Sequence, residues 1–419
     1  MHHFKYKNND LFCEDVSIAT LAEEVGTPFY LYSYATLKRH FRAFNAAFEG
    51  ANRLICYSAK ANTNLAVLRL FANLGCGLDI VSGGELYRGI AAGFSPNKIV
   101  YSGVGKRIDE IDDSLEAEIL MFNVESLIEL KLINERAGRL KKRARVAIRV
   151  NPDVDPQTHP YISTGLKKNK FGVDTEAALE GYKIASKLES VEIVGIGCHI
   201  GSQITETAPF DEAIKSLKVL IYELKGMGID IKYLDMGGGL GITYEAETPP
   251  SLNRYARAIL AGLDDPGLHL ILEPGRVLVG NAGILVTRVL YRKSGRVKDF
   301  VIVDAGMNDL LRPTLYNAYH TIEPVVRTED RLIVADVVGP ICESGDFLAL
   351  ERSLANVKSG DLLAVMSTGA YGYVMSSNYC SRPRVAEVMV KDDQFYIVKA
   401  RERYQDLIKG ESIPPFLEE

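Results

Sequence analysis

The sequence predicts an α/β protein built from a (β/α)8 barrel and a mostly antiparallel β domain. Three observations point there. The 419 residues exceed the ~250–300 at which one hydrophobic core usually stops growing, so two domains are expected. Between residues 33 and 273 eight short apolar runs alternate with stretches whose apolar positions recur at three and four residues, the helical period. After Gly280 this alternation gives way to β-rich runs separated by Gly, Pro, Asn and Ser, the pattern of strands and turns.

The eight apolar runs are 54–58, 78–82, 99–102, 121–124, 146–150, 194–199, 233–236 and 270–272, with helical patterns such as 84–92 and 209–227 between them. Spacings of roughly 20–45 residues leave no room for a hidden domain. Eight is also the number of parallel strands that closes a barrel, and about 250 residues is the usual size. An open doubly wound sheet is the alternative, and it needs fewer strands and a switch point. In the β domain the runs are 284–289, 299–303, 331–338, 361–366 and 385–390. The early run Pro28-Phe-Tyr-Leu-Tyr32 also reads as a strand, one that pairs with the β domain rather than the barrel. The expected division is 33–278 for the barrel, with 1–32 and 279–419 forming the β-rich domain.

Composition narrows the function classes. With 49 Lys and Arg against 54 Asp and Glu the net charge is −5, which provides no basic field for nucleic acid or an anionic membrane. No run reaches the ~18 apolar residues of a membrane span, and the first ten residues have no apolar signal-peptide core; a cytoplasmic protein is expected. Six cysteines, at 13, 56, 76, 198, 342 and 380, are scattered without a C-x-x-C. Neither a zinc site nor a disulfide framework follows, so no metal is expected, and each is by default a buried, reduced, small side chain.

Functional groups of such a barrel gather at the C-terminal ends of its strands. The first strand runs into Tyr57-Ser-Ala-Lys60-Ala-Asn62. Partial burial lowers the pKa of a Lys there and makes it a competent Schiff-base amine, although a single loop Lys is more often simply solvated. The sixth ends in Gly197-Cys-His199-Ile-Gly-Ser202, whose His is either a structural residue or a flat ring for stacking. Strand seven leads into Asp235-Met-Gly-Gly238-Gly239-Leu-Gly241 and strand eight into Glu273-Pro-Gly275-Arg276. Such glycines let backbone N–H groups converge on an anion, and loops seven and eight are the usual phosphate position; taken singly, each loop is also compatible with an ordinary glycine turn. Neither G-x-G-x-x-G nor G-x-x-x-x-G-K-[ST] occurs, so dinucleotide and P-loop readings fail. An amine, a flat ring, a phosphate cradle and the carboxylate of Glu273 are the parts that a pyridoxal phosphate enzyme needs.

These motifs resemble the fold-type III pyridoxal phosphate decarboxylases. Added to them are Arg149-Val-Asn-Pro-Asp-Val-Asp-Pro156, His159-Pro-Tyr-Ile-Ser-Thr-Gly165, Lys170-Phe-Gly172 and Gly339-Pro-Ile-Cys342-Glu343-Ser-Gly-Asp346, in family order from about residue 22 to 384. The resemblance implies that Lys60 is the Schiff-base lysine, that His199 stacks on the pyridine face and that Glu273 pairs with the ring nitrogen. It implies that Asp79 sits near Lys60, and that Ser202, Gly238, Gly239, Gly275, Arg276 and Tyr371 hold the phosphate. For the substrate it implies Arg276, Arg312, Tyr316 and Tyr371, with Glu343 on a distal ammonium and Cys342 as the proton donor to Cα. Guanidinium groups suit a carboxylate because they bind it in two-pronged fashion.

The implied reaction is decarboxylation of meso-2,6-diaminopimelate to L-lysine and CO2, the last step of lysine biosynthesis, in a homodimer with shared active sites. A sister enzyme acting on ornithine, arginine or carboxynorspermidine is the nearest alternative. An amino-acid racemase needs a weak electron sink, against which Glu273 argues. A non-catalytic relative would be expected to lose Lys60 or the glycines. No role follows for the tail after Val390.

Overall fold

The computed structural model describes residues 2–155, 170–263, 267–328 and 331–417. The chain divides into two compact units, Leu37–Gly280 and Met1–Thr36 with Asn281–Glu419.

In the first unit eight parallel strands close into a barrel. They are Arg53–Ser58, Gly77–Ile80, Ile99–Tyr101, Met121–Val124, Ala144–Arg149, Val191–Gly197, Tyr233–Asp235 and His269–Leu272. Closure comes from pairing of the eighth with the first, Ile271 opposite Leu54. Each strand is so short and so thoroughly buried that it reads as an apolar run without alternation, as expected for parallel strands covered on both faces. Cys56, Val100, Met121, Ala147, Val194 and Ile271 pack together as one apolar cluster, each burial of the larger side chains contributing about 1.5–3 kcal/mol. Helices begin where short polar side chains cap them: Ser82 accepts from the Glu85 N–H at 3.2 Å and Ser126 from the Glu129 N–H at 3.2 Å, satisfying otherwise orphaned donors. These caps fix where each loop after a strand ends, and hence where its polar residues sit.

The second unit is centred on the long strand Gly283–Ser294, which pairs antiparallel with Phe29–Ser33, Asp299–Val303 and Leu362–Val365. Phe29–Ser33 also pairs in parallel with Ala386–Lys391, so the early run does belong to the β sheet. Phe4, Leu11, Ile18, Leu21, Phe29, Leu31, Ile284, Val286 and Val388 form its core. Strands at Phe4–Lys7, Asp10–Cys13, Ile322–Pro324, Phe347–Ala355 and Gln394–Lys399 were not expected from the sequence. Burial of every cysteine is overturned: Cys342 and Cys380 are exposed, while the other four are buried and all six are free. Cys342 lies in an irregular loop and Cys380 in the single distorted turn Tyr379–Ser381, neither of which has a buried face to sequester the thiol. Among the described residues no helix is long and apolar enough to cross a membrane.

Candidate active site

A cavity of about 280 Å³ opens in the barrel unit, lined among others by Lys60, Asn123, Arg149, His199, Asp235 and Glu273. All of these residues end a barrel strand or lie in the loop that follows one, so the barrel's parallel register alone brings them to one end.

Lys60 stands in the single turn Ala59–Ala61 after the first strand. Its Nζ lies 2.5 Å from Asp79 Oδ2 on the second strand, and Ser58 Oγ donates to the same oxygen at 2.8 Å. Asp79 is fully buried, and its Oδ1 has no hydrogen-bond partner among the described residues. The carboxylate thus holds the Lys60 amine at the cavity wall.

Glu273 follows the eighth strand and shares a proton with Asp235. Burial pushes Asp235 up to about 6, while burial together with the Asp235 and Asp79 charges pushes Glu273 well above the usual range. Glu273 therefore carries the proton and donates it to Asp235. Asn123 Nδ2 donates to Asp235 Oδ2 at 2.8 Å, and the Gly237 N–H donates to Asp235 Oδ1 at 2.9 Å. Two donors fix the ionised partner and leave Glu273 as the member able to exchange its proton.

His199 Nδ1 accepts the Gly238 N–H at 3.1 Å, so the ring's own proton sits on Nε2. Burial, reinforced by the positive charges of Arg149 and Lys60, pushes its pKa well below the usual value; the ring that lines the cavity is neutral. The loop that orients it tolerates only glycine. A Cβ on Gly238 would stand 2.1 Å from the Glu273 carbonyl oxygen, and Gly239, at φ +113°, would meet the Gly201 carbonyl oxygen at 2.4 Å. Loop seven is thus wedged between loops six and eight. Across the same loops Arg276 donates to Ser202 Oγ at 3.0 Å and to Tyr244 Oη at 2.7 Å.

Sequence reasoning missed Ser102, Asn123, Arg149 and Asp235 as site residues, along with Glu125 behind them. The available signal was a polar residue ending an otherwise apolar strand. Glu125 accepts from the Gly103 N–H at 2.9 Å, from Arg149 at 2.8 Å and from the Gly172 N–H at 2.8 Å, which ties three consecutive loops together. Burial raises its carboxyl, but Arg149 and Lys106 outweigh burial and hold it below the usual carboxylate range. With the folded value depressed, its stabilising contribution is present above about pH 4.3 and is lost as pH falls below that. Glu125→Ala leaves the Arg149 guanidinium buried without this carboxylate, and the expected loss is about 3–5 kcal/mol, measurable as a lower urea midpoint at pH 7.

The site contains an amine beside a carboxylate, a neutral ring, and three buried carboxyls, of which Glu273 is pushed up by burial and by the charges of the other two. That surplus of acid suits a ring nitrogen that binds a proton, and the loop contacts of Gly239, Ser202 and Arg276 suit a phosphate. The residues therefore fit pyridoxal phosphate. Residues 34–280 match the family model described as pyridoxal-dependent decarboxylase, pyridoxal binding domain. The chain belongs to the pyridoxal-dependent decarboxylase family. The diaminopimelate decarboxylase of Aquifex aeolicus is 52% identical to this decarboxylase over 408 residues, 97% of each chain; that of Haemophilus influenzae is 52% identical over 98% of this chain and 100% of its own. The M. jannaschii diaminopimelate decarboxylase in co-complex with L-lysine superposes with a TM-score of 0.95 at 41% identity, covering 100% of both chains.

Gly275 caps the short helix Arg276–Val279 of the barrel unit, and the remaining predicted residues of this decarboxylase lie in the β unit. Arg312 and Tyr316 open and close the short helix Arg312–Tyr316, Arg312 buried and Tyr316 half-buried. Thr314 Oγ1 donates to the Gly345 carbonyl at 2.6 Å, tying that helix to the loop of Cys342 and Glu343. Asp346 folds the loop by accepting the Met307 and Ile341 N–H groups, each at 2.6 Å. Tyr371 is held at φ +56°, a left-handed backbone that costs a non-glycine residue about 1–3 kcal/mol and recurs at ligand clamps. The His159–Gly165 motif lies outside the described residues.

Proposed function

We propose that this protein is a diaminopimelate decarboxylase, releasing CO2 from the D-configured end of meso-2,6-diaminopimelate and leaving L-lysine. The observation that carries the reading is identity of about half the residues over nearly the full length of relatives bearing that name, supported by close structural likeness to a relative holding L-lysine.

Pyridoxal phosphate, when bound, supplies an aldehyde for an amine and a protonated pyridine that accepts the electron pair left as CO2 departs. Lys60 Nζ, kept beside Asp79, is the amine that anchors it and later releases product. Glu273, steadied by Asp235 and Asn123, holds the proton at the ring nitrogen. His199, its tautomer set by Gly238, packs on the ring face. Gly238, Gly239, Ser202, Gly275, Arg276 and Tyr371 hold the phosphate. Arg276, Arg312 and Tyr316 bind the distal carboxylate and Glu343 the distal ammonium, with Tyr371 also on the substrate side. Cys342 Sγ returns a proton to Cα. Shared active sites call for a homodimer, and the biosynthetic role calls for the cytoplasm.

Arg312 together with Glu343 favours a zwitterionic distal end, which ornithine lacks. The test is to incubate the protein with pyridoxal phosphate and, separately, with meso-diaminopimelate, ornithine and arginine, measuring CO2 and product. L-Lysine from diaminopimelate alone is expected. CO2 from ornithine or arginine with diaminopimelate inert would overturn the substrate assignment while leaving the family intact.

A further inference from the structure

The helix that carries Arg312 is only five residues long, too short to fix the aim of a long side chain by itself. Its guanidinium is instead met by a second residue. Arg312 Nη1 lies 2.7 Å from His320 Nε2, and His320 Nδ1 lies 2.8 Å from the Met366 carbonyl oxygen. A carbonyl can only accept, so Nδ1 carries the ring proton and Nε2 presents its lone pair to Arg312. His320 is fully buried, and Arg352 donates to its carbonyl oxygen at 2.7 Å. It also stands just before the strand Ile322–Pro324, which pairs with Leu362–Val365, and the Met366 N–H donates to the Thr321 carbonyl at 2.8 Å. The imidazole is therefore rooted in the sheet on both sides.

We infer that His320 is a positioning residue that aims Arg312, and so helps to set selectivity for an amino acid with a carboxylate at its far end. The inference rests on Arg312 binding that carboxylate, as proposed above. The choice of imidazole has a chemical reason. A carboxylate in its place would orient the guanidinium equally well but would neutralise it and compete with the substrate's own carboxylate. A neutral ring acceptor orients the fork and leaves its whole positive charge for the ligand. Burial of the ring makes the geometry rigid, because both nitrogens already have partners that its rotation would break.

The experiment uses the pyridoxal phosphate-loaded enzyme as wild type, His320→Phe, Arg312→Lys and the double variant, with KM and kcat for meso-diaminopimelate and cofactor absorbance as readouts. Loss of one hydrogen bond to a charged group predicts that His320→Phe raises KM about tenfold with kcat changed by less than about threefold and absorbance unchanged. In the Arg312→Lys background the same substitution should add less than about a twofold rise, because the two residues act through one contact. His320→Gln, whose amide oxygen can accept from Arg312, should recover part of the loss. An unchanged KM in His320→Phe, or a rise that persists in full on Arg312→Lys, overturns the inference. If Arg312→Lys itself leaves KM unaltered, it is the underlying assignment of Arg312 that fails. Should His320→Phe not fold, His320→Asn carries the test, since it keeps the pocket polar but draws the acceptor away from Arg312; a wild-type KM there overturns the inference too.

Discussion

Lys60→Ala should leave less than about a thousandth of wild-type turnover on meso-diaminopimelate, on the scale seen when an enzyme loses its covalent nucleophile. The reason lies in the pair with Asp79. Lys60 Nζ is the amine that the fully buried Asp79 holds at the cavity wall, 2.5 Å away. Removing it takes away the covalent anchor and also strands a buried carboxylate. The stranded charge predicts a separate loss, in stability, of the protein without cofactor. Absorbance tells the two effects apart: mixing the variant with pyridoxal phosphate should give the spectrum of free aldehyde rather than of an imine. Turnover within about tenfold of wild type in a folded variant would remove Lys60 from its assigned role.

Glu273→Gln should lower kcat by about 100- to 1,000-fold, the usual effect of removing one preorganised electrostatic group. An amide matches the carboxyl in size, so packing is preserved, but it cannot bear the negative charge that keeps a proton on a ring nitrogen. Cofactor should still attach through Lys60, which places the defect in chemistry rather than loading. The substitution also removes the carboxyl that burial and the Asp235 and Asp79 charges raise well above the usual carboxylate range. The side chain then loses its pH response, and any acid-limb inflection due to the pair should vanish from the kcat profile. A kcat within about threefold of wild type would show that the charge at Glu273 is not used in the reaction.

Much of the fold is legible from apolar pattern because burial is a local property. The run 121–124 reads as a strand, and the strand is Met121–Val124. The strand Phe347–Ala355 escapes that logic. Its register against Leu332–Val338 slips at two places, and Glu351 sits at φ +47° with its N–H donated to Asp336 Oδ1 at 2.7 Å. Such a bulge breaks the two-residue period by which a strand is recognised. Gln394–Lys399 is hidden differently: as an edge strand it pairs, among the described residues, only with Ala386–Lys391, and Tyr396 and Ile397 remain exposed. The chain reverses between the two strands at Asp392, held at φ +56°, as tight hairpin turns require.

At the site, the sequence by itself determined the chemical inventory: the amine at Lys60, the ring at His199, the glycines at 237–239 and the carboxyl at Glu273. A polar residue at the end of an apolar strand has few places to go in a barrel, and all of them face the same mouth. Only the tertiary structure decided how those groups are paired. Glu273 shares its proton with Asp235, Glu125 gathers Gly103, Arg149 and Gly172, and Arg312 takes its aim from His320. Hydrophobic burial needs only the right face of an element, whereas a hydrogen bond needs two atoms within about 3 Å and in line. That condition depends on strand register and loop closure between distant segments, and no local pattern encodes it.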